Sequence, residues 1–216
     1  MKIAILGGTG DEGFGLGYRW AVAGHEIIIG SRKMEKGAQA AVSMRELFPD
    51  GRISGTDNLN AAQQAELVVL SVPYWAQAAT LDSVKSALAN KLLVTVVAPT
   101  GERAARVHRL ESGLSAAEEA QNQLGEETRV VAAFQNIGAH HLLDLDHQLD
   151  CDVLVCGDKK ADKAVVLQLC EDAGLQGVNA GALQNARAVE EFTAVLIAIN
   201  VIHKVKSAGI RITGLS

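Results

Sequence analysis

The chain is short of cysteine, of long apolar runs and of positive charge, and each shortage removes a class of protein. Its three cysteines, Cys151, Cys156 and Cys170, are odd in number and form no CxxC pair, which suits neither a disulfide framework nor a zinc site. They lie in apolar stretches and are expected to be reduced, buried thiols, with no metal and no activated nucleophile among them. The opening run from Met1 to Leu6 breaks at glycines, too short for a signal-peptide core or a membrane span. A cytoplasmic protein without membrane contact is therefore expected. Lys and Arg number 20 against 25 Asp and Glu, a net charge of −5. The cations are scattered rather than gathered, so no phosphate-coating surface is offered and nucleic acid is not an expected partner. Low-complexity tracts, charge blocks and fixed-period repeats are also missing.

What remains is an ordinary globular balance, 48% hydrophobic and 21% charged over 216 residues, enough for one substantial core and an appendage. Short apolar runs alternate with amphipathic stretches. Strands are expected at Lys2 to Leu6, Glu26 to Gly30, weakly at Arg52 to Ser54, then at Leu67 to Ser71, Leu92 to Ala98 and Arg129 to Phe134. Helices are expected at about Glu12 to Ala23, Lys33 to Leu47, after Pro73, and near Ser115 to Leu124. The runs EIIIG, LVVLSV and LLVTVV are continuously apolar, the mark of strands buried on both faces of a parallel sheet. The fold class is therefore α/β, a Rossmann-type doubly wound parallel sheet with a small C-terminal α/β domain. The division is expected as residues 1–138 for the dinucleotide-binding domain and 139–216 for the smaller one. In the latter a strand at Asp152 to Cys156, a helix at Ala161 to Ala173 and an extended piece at Gly177 to Ala180 form a satellite to the main sheet. The most apolar helix, Leu183 to about Lys206, carries more than one buried stripe, and a second subunit is the simplest cover for it.

Directly after the first strand stands GGTGDEG, so Gly8, Gly10 and Gly13 fill a GxGxxG pattern, with Gly7 in addition. Placed between a strand and a helix inside a βαβ unit, the motif reads as a dinucleotide-binding turn whose free N–H groups face a pyrophosphate. Asp11 and Glu12 would repel that anion, so their carboxylates are expected to point into solvent. In many such folds the second strand ends in an acid that grips the ribose hydroxyls of NAD. Here it runs into Gly30, Ser31, Arg32 and Lys33, with Lys36 one turn on. A hydroxyl and cations at that place select the 2′-phosphate of NADP, and Arg32 is the chief discriminator.

Taken together, GGTGDEG, GHEIIIGSR, SVPYWA, LVCGD and the terminal AGIRITGL resemble the NADPH-dependent reductases of the deazaflavin coenzyme F420, over nearly the whole chain. The resemblance implies reversible hydride transfer between NADP(H) and F420, a deazaflavin cleft between the two domains, and a homodimer. It places NADP contacts on Thr9, Gly10, Asp11 and Glu12, on Ser31, Arg32 and Lys36, and on Val72, Pro73 and Tyr74. It brings the two rings together near Gln135, Asn136 and Ile137, with Ala139 facing the nicotinamide and Ile137 the deazaflavin. Some members carry His where Gln135 stands and Pro where Gly138 stands; the Gln135 amide can still donate a hydrogen bond. Hydride passes directly between stacked rings, so no catalytic residue is nominated. His140 and His141 are candidates for a proton source or ordinary polar residues at a helix start, and His25 reads as structural. Two other readings stay open: an NADPH-dependent reductase of another flavin, a quinone or a metal chelate, and a non-catalytic NADP-binding regulatory protein.

Overall fold

The computed structural model describes residues 1–101 and 103–215. Six strands, β1 (Lys2–Leu6), β2 (Glu26–Ser31), β3 (Ile53–Asp57), β4 (Leu67–Leu70), β5 (Leu92–Thr95) and β6 (Arg129–Ala132), pair in the order β3-β2-β1-β4-β5-β6. Every pairing is parallel, as the continuous apolar runs require. The order reverses between β1 and β4, the place where a doubly wound sheet opens a crevice at the carboxyl ends of its strands. Helices α1 (Asp11–Val22) and α2 (Met34–Leu47) cover one face, and α3 (Asn58–Gln64), α4 (Tyr74–Leu88) and α5 (Ala116–Leu124) the other.

Two of the apolar runs pair over less than their length. Of Leu92 to Ala98 only Leu92 to Thr95 joins the ladder, and β6 stops at Ala132. The residues beyond leave the sheet at its carboxyl edge, where Val96, Val97 and Ala98 become cleft walls. Phe134 then turns with φ of 75°, a conformation a bulky residue adopts only when its surroundings hold it. Its ring meets that of Trp20 edge-on, centroids 5.7 Å apart.

The C-terminal part holds β7 (Asp152–Val155), α6 (Lys160–Asp172), β8 (Gln176–Asn179) and α7 (Ala186–His203). Strands β7 and β8 form a separate parallel pair, attached to the main sheet by an antiparallel bridge in which Ala132 and Cys156 exchange two 2.9 Å backbone bonds. Packing is continuous across the join, because Val153, Val155, Val166 and Leu169 share one buried cluster with Ile3, Ile5, Leu16 and Trp20. The Trp20 indole N–H donates to the Leu169 carbonyl at 2.8 Å, and His25 pairs with Asp172 at 2.9 Å, a structural role as expected.

The last helix begins with a 3-10 turn at Leu183–Asn185 and stops at Lys204, a left-handed cap with φ of 54°, two residues before Lys206. No described helix is long and apolar enough to cross a membrane. All three cysteines are free, and burial pushes the thiols of Cys156 and Cys170 up to about 11 and 12. Thiols so raised are protonated and inert at neutral pH.

Candidate functional site

The glycines of the first turn divide the work the motif assigns to them. Gly7 has φ of +73°, and a Cβ there would collide with the Ser71 carbonyl oxygen; only glycine fits this turn. A Cβ on Gly13 would strike the Ser71 hydroxyl at 2.8 Å, so that glycine lets α1 approach β4. Gly8 is confined by the Ile5 backbone. At Gly10 the nearest atom to a Cβ lies 3.8 Å away, which leaves an open cradle against the first turn of α1. No side chain caps that turn, so its N–H groups can bind an anion.

From this cradle a groove of about 550 Å³ runs over the ends of β1, β2 and β4, and its walls include Thr9, Ser31, Arg32, Lys33 and Lys36. Ser31 is buried while Arg32, Lys33 and Lys36 are exposed. The latter three crowd the start of α2, whose positive end disfavours cations unless an anion joins them; Glu35 is the one acid in that turn. The nearest alternative acid, Asp57 at the end of β3, is occupied: its carboxylate accepts from the Asn60 backbone N–H at 3.0 Å and caps α3. These bonds hold its pKa below the usual range.

On the other side of Gly10 the cradle opens into a second space, about 470 Å³, lined by Glu12, Val72, Pro73, Val96, Val97, Gln135, Ile137 and, from α7, Thr193, Leu196, Ile197 and Asn200. Gly10, Ser71, Val72 and Pro73 line both spaces. The two are ends of one channel, cationic at one end and largely apolar at the other.

Most of the expected site residues line this channel; Gly8 and Gly13 shape the turn behind it, and Tyr74, Asn136 and Ala139 lie outside it. The Tyr74 phenol points to α5 and donates to Glu119 at 2.7 Å, which helps to push it up to about 12 after burial. Ala139 sits in a 3-10 turn (Ala139–His141) and packs against the core. Asn136 is buried behind the cleft, its amide donating to the Val189 carbonyl at 2.9 Å. One expectation is corrected outright. The Glu12 carboxyl is not turned wholly into solvent: its Oε1 is enclosed without a hydrogen-bond partner, and burial pushes its pKa up to about 8. The side chain at the second position of α1 is half-buried and lines the same space as Thr193 and Asn200 of α7, while Asp11 before it is exposed.

Sequence reasoning missed two contributors. Trp75 is 74% exposed and shares the groove with Arg32; a large aromatic left in water at a helix start was the available signal. Thr193, within the apolar last helix, donates to the Gln135 carbonyl at 3.0 Å and accepts from the Asn136 amide at 3.2 Å, fixing α7 to the segment after β6. His140 and His141 lie outside the channel-lining set. His141 instead stacks on His147 with centroids 4.0 Å apart, near Asp144, at the surface.

Residues 2–99 match the family model described as NADP oxidoreductase, coenzyme F420-dependent. Over 223 residues the chain is 44% identical to the F420-dependent NADP reductase of Methanothermobacter marburgensis, covering 100% of this chain and 99% of that one. The enzyme of the same name from Methanocaldococcus jannaschii is 42% identical over 224 residues, with 100% and 99% coverage. Among solved structures, an Arthrobacter protein provisionally named an F420-dependent NADP-reductase superposes with a TM-score of 0.81 at 26% identity, covering 99% of this chain and 100% of that one.

Proposed function

Because the chain belongs to the family of coenzyme F420-dependent NADP oxidoreductases, we propose that it passes a hydride reversibly between NADP(H) and the deazaflavin F420. The observation that carries this reading is the single two-ended channel. Its cationic end suits the 2′-phosphate side of NADP, the Gly10 cradle a pyrophosphate, and the apolar end two flat rings. The residues present therefore fit the dinucleotide. Bound there, the nicotinamide supplies or accepts the hydride, and the protein's part is position and exclusion of water.

In this reading Gly8, Thr9, Gly10 and Gly13 with the backbone of Asp11 and Glu12 hold the pyrophosphate, and Ser31, Arg32 and Lys36 hold the phosphate of the adenosine end. Val72 and Pro73 form the floor shared by both spaces. Gln135 and Ile137 present the second ring's side of the cleft, and Asn136 braces them through α7. Residues 1–138 act as the dinucleotide domain and 139–216 as the part that closes the cleft. The apolar residues left on the outer face of α7, among them Val201 at 68% and Ile202 at 70% exposure, support a homodimer as the working form. Three unpaired thiols support a reducing, cytoplasmic setting.

Purified protein mixed with NADPH and oxidised F420 should bleach the deazaflavin absorbance, and F420H2 with NADP+ should restore it. Oxidation of NADPH by a flavin or quinone with F420 left untouched would overturn the choice of acceptor.

A further inference from the structure

The Glu12 carboxyl has no use in a pyrophosphate-binding turn and is costly where it stands. Its Oε1 is fully enclosed, makes no hydrogen bond, and among the described residues no cation pairs with it. An unpaired ionised carboxylate in such a place is strongly disfavoured, and burial alone pushes the group up to about 8. Burial of this oxygen favours the protonated acid over the carboxylate. Of the groups facing it across the cleft, Gln135 after β6 and Thr193 and Asn200 on α7 are neutral, as is Ser71 after β4. Asp11 on its own helix is the other ionisable lining residue, and it is exposed. The space into which Glu12 is folded is the apolar end of the channel, not the cationic one.

We propose that Glu12 is a proton-carrying side chain that senses the charge on the nicotinamide ring, staying neutral beside NADPH and giving up its proton to solvent beside NADP+. The inference rests on the reading of the channel as an NADP(H) site. The oxidised and reduced cofactors carry the same phosphates and differ by one positive charge on the ring. Whatever the phosphates do to Glu12 is common to both, and the ring charge alone separates them. A cation entering an enclosed cleft favours the carboxylate; a neutral ring does not. By linkage, if NADP+ favours loss of the Glu12 proton, loss of that proton must favour NADP+ by the same factor. Below the pKa of Glu12 the site therefore treats the two cofactors more evenly, and above it the site prefers the oxidised one. The step balances: the O–H bond of Glu12 breaks, the proton passes to solvent, and the carboxylate compensates the ring.

The test is binding without the deazaflavin, so that turnover plays no part. Dissociation constants for NADP+ and for NADPH are measured calorimetrically on the full chain from pH 6.5 to 9.5. In the wild type the ratio of the NADP+ constant to the NADPH constant should fall about tenfold across this range, the effect of one charge pair in a half-wet cleft. Glu12→Gln, which keeps shape and loses the ionisation, should hold the ratio within about twofold. Proton counting in weakly buffered solution gives a second measurement that needs no variant: NADP+ should release more protons than NADPH at pH 8. A flat wild-type ratio, equal proton counts, or a slope that survives in Glu12→Gln would overturn the inference while leaving the NADP(H) reading intact. Failure of either cofactor to bind would overturn both.

Discussion

The Arg32 guanidinium carbon stands 6.0 Å from the centroid of the Trp75 ring, one side chain from the end of β2 and the other from the first turn of α4. Both line the cationic end of the channel. One offers fixed charge and forked N–H donors, the other a flat apolar face, so together they can read the two chemically distinct parts of an adenosine phosphate.

Arg32 should carry the distinction between the two nicotinamide cofactors. A charge-assisted hydrogen bond to phosphate contributes about 1.5 to 3 kcal/mol, so Arg32→Ala should weaken NADP binding roughly ten- to a hundred-fold and leave NAD nearly unchanged. Parallel fluorescence titrations with the two cofactors check this. Equal losses would show that the cation does not contact the extra phosphate.

Trp75 should show the complementary pattern. Stacking of an adenine on an aromatic side chain contributes about 1 to 3 kcal/mol, and both cofactors carry the same adenine. Trp75→Ala is expected to weaken NADP and NAD alike by roughly tenfold, with the preference between them preserved. The same titrations decide it, and quenching of Trp75 emission on binding gives an independent signal.

This pair also shows where the sequence was legible and where it was not. The strand order, the glycine turn and the cations at Arg32 and Lys36 follow from periodicity and local spacing, because each is decided by neighbours within one βαβ unit. Choosing Tyr74 over Trp75 required the rotational phase of α4, which packing against α5 sets: Tyr74 turns to Glu119 and its neighbour turns to the groove. The cleft that Glu12 lines is walled by α7 residues more than 180 positions away, from Thr193 to Asn200, and no local pattern reports it. The same holds for Thr193, whose hydroxyl reads as one more apolar-stripe residue until the segment after β6 is placed against it.

Glu190 on α7 is another carboxyl raised by burial, but a fully employed one. It accepts from the backbone N–H groups of Ala116 at 2.7 Å and Ala117 at 3.0 Å, at the start of α5. Burial nevertheless pushes it up to about 7, with Glu118 and Glu119 adding to the rise and the two N–H bonds opposing it. The folded chain therefore binds this proton more tightly than the unfolded chain, whose carboxyl titrates near 4.5. Stability from this group is complete below that value and is lost as pH rises towards 7, with a slope of at most about 1.4 kcal/mol per pH unit. Glu12 contributes in the same direction up to about 8. Urea denaturation of Glu190→Gln between pH 4.5 and 8 should show a shallower decline than the wild type, the remainder belonging to Glu12. An unchanged decline would mean that Glu190 is ionised throughout.

The outer face of α7 gives a prediction about assembly. Phe192, Val195, Val201 and Ile202 are 39%, 36%, 68% and 70% exposed, a concentration of apolar surface that a single chain leaves in water. Sedimentation equilibrium should find a dimer, and Ile202→Glu should shift it to monomer at micromolar concentration. A wild-type monomer would sink the assignment of this face.

Arg19 should matter to stability out of proportion to its distance from the channel. It lies on α1, is 6% exposed, and its guanidinium donates to four carbonyls: Leu142 at 2.8 Å, Ala173 at 3.0 Å, His141 at 3.2 Å and Asp144 at 2.8 Å. Those acceptors belong to the segment after β6 and to the end of α6, so one side chain ties the first βαβ unit to the C-terminal part. Lysine can place three donors at a point but cannot reproduce the fork. Arg19→Lys therefore leaves at least two buried carbonyls without a partner, at about 1 to 3 kcal/mol each. Urea midpoints should put Arg19→Lys roughly 2 to 4 kcal/mol below the wild type, and hydrogen exchange should quicken at residues 141–147 before it does at β1. The NADP dissociation constant should change less than about threefold, because the cationic groove is built without Arg19. A variant within about 1 kcal/mol of the wild type would mean that water replaces the guanidinium at these carbonyls, and that the apolar cluster shared by the two parts holds them together unaided.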